Sequence, residues 1–139
     1  MDAAKKKEIV TTVIIVICTL IIAFLMVRFE LVKRAKREYN EGERYLSFYK
    51  SPDLKKQYYD EKLKKKEISE TEYEMLMEDN ALKNAYVQYN TVVDLFTPPE
   101  SKWVKLSRQR LSEITPEYSA WVEKLRREID DAPLTPPAK

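Results

Sequence analysis

The chain has 139 residues, with 25 Lys and Arg against 23 Asp and Glu, no His, one Gly and one Cys. That near balance of charge lacks the strong basic excess of a dedicated nucleic-acid binder. Without His the commonest general base and zinc or haem ligand is missing, and a single Gly disfavours phosphate-cradling loops and tight hairpins.

Residues 1–8 form a short polar tail carrying Lys5, Lys6 and Lys7. Then comes Ile9 to Val27, nineteen consecutive residues without a charge, a Gly or a Pro. As a helix this run covers about 28 Å, close to the ~30 Å hydrocarbon core of a bilayer. A helix is the form that fits, because in lipid every backbone N–H and C=O has to be satisfied within the segment. Thr11, Thr12 and Thr19 are predicted to bond back to carbonyls one turn earlier. Val13, Ile17, Leu20 and Phe24 fall along one helical face and are candidates for packing on neighbouring membrane helices. The absence of Gly from the run argues against a close small-xxx-small crossing. Cys18 lies inside it and has no internal partner. A cleaved signal peptide fits poorly, since the run exceeds the usual apolar length and no A-x-A-like site follows. The expectation is an uncleaved single-pass anchor in contact with membrane lipid.

Six basic residues follow closely: Arg28, Lys33, Arg34, Lys36, Arg37 and Arg44. Set against three lysines before the span, they point to a cytoplasmic C-terminal domain. The tail's own lysines resist translocation, so the reverse topology is the alternative. Clustered Arg and Lys beside a span can also bind anionic headgroups. No helix breaker intervenes, and one helix is predicted to continue as a stalk over residues 28–50, weakened at Gly42.

Residues 51–130 read as an extramembrane helical domain. Ser51-Pro52 places a capping residue before a proline at the first helical position, opening a helix to about Lys65. Ser69-Glu70-Thr71-Glu72 is a capping box, flanked by Ile68 and Tyr73 at the staple positions. The helix it opens is predicted to run to about Phe96, with an apolar stripe that includes Leu76, Leu82, Ala85, Tyr86, Tyr89 and Val92. The stretch Leu63 to Leu76, LKKKEISETEYEML, resembles a short bacterial oligomerisation module that pairs two small helices around a Gly-Ile-Thr-Glu-Glu-Glu-Phe turn. Ile68, Ser69, Glu70, Glu72 and Tyr73 match in type, while Lys66 stands where that turn has glycine. The resemblance covers fourteen of 139 residues, and no family is assigned on it.

Thr97-Pro98-Pro99-Glu100 is predicted to cap a helix carrying Trp103, Leu106, Leu111 and Ile114. Thr115-Pro116 opens a last one with Tyr118, Trp121, Val122, Leu125 and Ile129. Residues 131–139, DAPLTPPAK, are Pro-rich and expected to be extended, as a docking strap. No stretch shows the period-two alternation of a strand.

The fold expected is therefore all-α: one N-terminal transmembrane helix continuing into a stalk, then about four short-to-medium amphipathic helices. Carboxylates, Lys, Tyr and Ser are the remaining reactive groups. Glu74 and Glu78 lie four apart, but di-metal bundles also require a His that this chain lacks. Nine tyrosines and two tryptophans are the informative excess, because such rings are enriched where a surface meets a protein partner. Tyr73, Tyr86, Tyr89, Phe96, Trp103 and Trp121 are the candidate partner-binding residues. The function expected is a non-catalytic accessory or scaffold subunit, held among other membrane-protein subunits. Respiratory and photosynthetic assemblies contain small subunits of this build. The alternative is a membrane-tethered adaptor recruiting a soluble partner. No cofactor, metal or small-molecule substrate is expected.

Overall fold

A computed structural model describes residues 3–131, so the strap expected at the C-terminus lies, beyond Asp131, outside the described residues. Within them the chain is all-helical: α1 (Ala3–Lys50), α2 (Pro52–Lys64), α3 (Glu70–Glu78), α4 (Ala81–Leu95) and α5 (Lys102–Asp130).

The 48 residues of α1 make a rod about 72 Å long. Its N-terminal half holds a window of mean hydropathy 3.0, long and apolar enough to cross a bilayer, with none of the window buried. The Thr11, Thr12 and Thr19 hydroxyls donate to the carbonyls of Lys7, Glu8 and Ile15 at 2.9, 3.0 and 2.9 Å. Each polar group in the apolar run is thus satisfied by its own helix.

Beyond the apolar run, α1 acquires a buried stripe of Ala35, Tyr39, Gly42 and Leu46, spaced four, three and four apart. α4 answers with Leu82, Ala85, Tyr89 and Val92, and α5 with Val104, Ser107 and Ile114. Helical side chains three and four apart share a face, so three such stripes close one core. Trp103 lies beside Tyr39 and Arg110 beside Glu43, so α5 runs parallel to α1. Tyr89 also meets Tyr39, while Tyr86 stacks on Tyr118, so α4 runs antiparallel to both. The far half of α1 with α4 and α5 is a three-helix bundle.

α2 and α3 form a hairpin hung on the far end of α1. Phe48, 3% exposed, packs its ring 5.3 Å from Tyr58 and 5.8 Å from Tyr59. The Tyr73 hydroxyl donates to Asp60 at 2.7 Å, and Lys55 Nζ donates to the carbonyls of Met77 and Asp79 at 2.9 and 2.7 Å. Burial lowers the Lys55 pKa from its ordinary value, against the pull of Asp79. The expected capping box is present: Glu72 N donates to Ser69 Oγ, and Ser69 N donates to Glu72 Oε2. Pro52 opens α2 as expected, although the Ser51 hydroxyl makes no cap bond. Lys66 takes φ 57°, the left-handed geometry that glycine adopts freely. The Lys66 and Glu67 N–H groups donate back to Leu63 and Lys62, closing the end of α2.

Three boundaries differ from the sequence expectation. The helix predicted from the Ser69 box to Phe96 is two helices. Asp79 leaves helical geometry at ψ 140°, and Asn80 Oδ1 accepts from Lys83 N at 3.0 Å to start α4. Lys55, reaching over from α2, satisfies the carbonyls that the break exposes. The helix predicted at Thr97 begins instead at Lys102, capped by Ser101, whose Oγ accepts from Val104 N at 3.4 Å. The two helices predicted to meet at Thr115-Pro116 are one, with Pro116 inside α5. A proline in a helix interior costs about 3 kcal/mol. Here Pro116 is exposed, while Ile114 and Tyr118 on either side stay on the core stripe. Their packing holds the two halves in line, and the Thr115 hydroxyl donates to Leu111 O instead of capping.

Candidate partner interface

The bundle is pinned by one polar clamp. The Glu43 carboxylate on α1 accepts from Tyr89 Oη at 2.7 Å, from Arg110 Nε at 2.7 Å and from Arg110 Nη2 at 3.2 Å. Arg110 Nη1 donates to Glu113 at 2.8 Å. A two-pronged Arg–carboxylate pair fixes orientation as well as distance, and this one ties all three helices together. Burial pushes the Glu43 carboxyl upward, but the bonds from Arg110, Tyr89 and Tyr39 outweigh it and hold the group below its ordinary value. Tyr89 is raised by burial and by the neighbouring carboxylate. Arg110 is raised first by Glu43 and then by Glu113. Tyr59, buried under Phe48, is pushed up to about 12. Glu43 and Arg110 are thus both held in their charged forms at neutral pH.

The six aromatic residues singled out from the sequence do not form one surface. Tyr89 is a correction: it is wholly buried, its ring 5.7 Å from that of Tyr39 and its hydroxyl spent on Glu43. It builds the core and offers no surface. Tyr73 bonds across the hairpin. Phe96 and Trp103 lie half-buried toward the apolar run of α1. The Trp103 ring stands 5.5 Å from Tyr39, with Lys36 and Lys102 Nζ each 5.5 Å from the Trp103 ring. Tyr86 and Trp121 come together at the far end through Tyr118. Tyr86 stacks on Tyr118 with centroids 4.0 Å apart and planes 10° from parallel, and Trp121 follows at 5.8 Å. On the apolar run, Val13, Ile17, Leu20 and Phe24 are 50%, 51%, 65% and 59% exposed.

The far-end aromatics continue into a bare stripe. Val122, Leu125 and Ile129 on α5 are 36%, 41% and 65% exposed, three and four residues apart. Every residue from Val122 to Asp131 is exposed, so these last turns of α5 carry an apolar face that the bundle does not cover. The spacing of this stripe was legible in the sequence. That it stays uncovered was not, because covering depends on where α4 begins. Among the described residues no three Cys, Asp or Glu side chains gather to hold a metal ion. The exposed free thiol of Cys18 lies within the apolar run. Comparison of the chain with protein-family models, with curated proteins and with solved structures returns no match.

Proposed function

We propose that this chain is a non-catalytic accessory or scaffold subunit of a larger integral membrane complex, of the kind found in respiratory or photosynthetic assemblies. It is held by one pass through the bilayer, with the bundle on the cytoplasmic side. The observation that carries the reading is the uncovered stripe Val122, Leu125 and Ile129, continuous with the Tyr118–Trp121 pair. Isolated apolar residues on a surface need no explanation, whereas a contiguous row beside aromatic rings marks a protein contact. The apolar run supports the same reading, since Val13, Ile17 and Leu20 on one face of it are exposed and free to meet other membrane helices. The cytoplasmic placement rests on the six basic residues after the span against three before it.

One feature favours a second reading, a membrane-tethered adaptor for a soluble partner: the stripe sits at the end of the bundle remote from the span. Both readings use α5, and they differ in whether the span also contacts protein. The test is mild-detergent extraction of an affinity-tagged chain, with mass spectrometry of intact co-purifying species. A large assembly containing stoichiometric copies is the expected result, and Leu125→Glu should release the chain from it. A lone monomer or small homo-oligomer would overturn the subunit reading, and a single soluble protein lost with Leu125→Glu would establish the adaptor.

A further inference from the structure

The connection between α4 and α5 has to turn at the span end of the bundle, because α4 runs toward the span and α5 away from it. Pro98 and Pro99 there line a shallow cleft with Phe24, Val27, Arg28 and Leu31. Phe24 and Val27 belong to the apolar run itself. Leu31 stands only about 6 Å beyond Val27 along the helix, which is within the roughly 5–7 Å headgroup layer on each side of the hydrocarbon core. A turn that lines one cleft with Phe24 and Val27 therefore lies at the depth of the lipid headgroups.

Its chemistry suits that depth. Leu95, the last residue of α4, is 68% exposed, and Phe29, next to Arg28 on α1, is 73% exposed, so apolar side chains stand bare on both elements that meet at this end. Pro98 and Pro99 have no N–H to leave unsatisfied on losing water. Between Arg28 and Arg37 stand five basic residues and one acidic residue, a balance that favours anionic headgroups.

We propose that the α4–α5 turn, Leu95 to Pro99, is a second membrane contact, seated among the headgroups of an anionic bilayer beside the span. A lone helical rod can tilt and spin in a membrane. A second contact off the rod's axis fixes both motions, and so fixes the direction in which the Val13–Phe24 face points. The proposal requires the span to cross a bilayer and is independent of whether the chain serves as a subunit or as an adaptor.

The experiment uses the full chain in a Cys18→Ser background, carrying one environment-sensitive fluorophore attached through Leu95→Cys. Purified protein is placed in nanodiscs of mixed zwitterionic and anionic lipid containing a lipid spin-labelled near its headgroup. Val27→Cys and Leu125→Cys, labelled in the same way, mark the membrane and the far end. The label at position 95 should lose most of its fluorescence, as at position 27, while the label at position 125 keeps it. Quenching at position 95 no greater than at position 125, in protein with an unchanged unfolding transition, would overturn the proposal.

Discussion

Gly42→Ala places a methyl group where the structure has no room for one. A Cβ at this position would stand 2.7 Å from Tyr89 Cε1, 3.0 Å from Cδ1 and 3.1 Å from Cζ. The ring has nowhere to retreat, since it is fully buried and held by its hydroxyl 2.7 Å from Glu43. Two effects oppose each other. Alanine is better than glycine in a helix by about 1 kcal/mol, while overpacking a core costs about 1–3 kcal/mol. The closest contacts fall on the body of an aromatic ring, not on a flexible tip, so overpacking should win, by up to about 2 kcal/mol. The assay is urea unfolding of the full chain in detergent micelles, followed by tryptophan fluorescence. Trp103, 5.5 Å from Tyr39, reports the state of the bundle. In a Tyr89→Ala background the obstruction is gone, and the same Gly42→Ala change should stabilise by about 1 kcal/mol. A stabilising effect in the native background, or equal effects in both, would refute the account of Gly42 as a site of close approach.

Glu43→Gln removes the charge from the clamp, and at pH 7 should lower stability by about 1 kcal/mol after allowing for the partial exposure of the pair. Because the folded protein holds this carboxyl below its ordinary value of 4.5, its contribution is present above that pH and is lost as the pH falls through the folded value. The gap between the two proteins should accordingly narrow on acidification, and a gap constant down to pH 3 would exclude a charged clamp. Lys66→Gly relieves a side chain held at φ 57° and should raise the urea midpoint, by up to about 1 kcal/mol in stability. A loss of stability there would mean that the lysine side chain makes a contact worth more than the strain. Ser107 is wholly buried and its hydroxyl has no hydrogen-bond partner among the described residues, so Ser107→Ala should stabilise by about 1 kcal/mol in the same assay. Destabilisation would show that the hydroxyl is bonded in solution.

How much of this was legible beforehand depends on the range of each signal. The unbroken first helix and the Ser69 box are each signals within one helix, and both lie where the residues placed them; residues 35–48, expected as a stalk, instead supply one wall of the bundle core. Asp79-Asn80 was a readable stop, since both residue types compete for backbone bonds, yet the apolar stripe on either side hid it. Tyr89 carried no mark distinguishing a core ring from a surface ring. The Glu43–Arg110 pair joins positions 67 residues apart, and no pattern along the chain announces it.

Helix periodicity and hydropathy are properties of a few consecutive turns, so the helical character of residues 3–131 and the one apolar run long enough to cross a bilayer were written along the chain. Tertiary structure decided the rest. Pro116 stays inside α5 because Ile114 and Tyr118 are gripped by a core assembled from α1 and α4. Gly42, which along the chain is only a weak point in a helix, becomes the opening that admits the Tyr89 ring. In both cases a local preference worth a few kcal/mol is outweighed or redirected by packing against residues brought close only when the three helices meet.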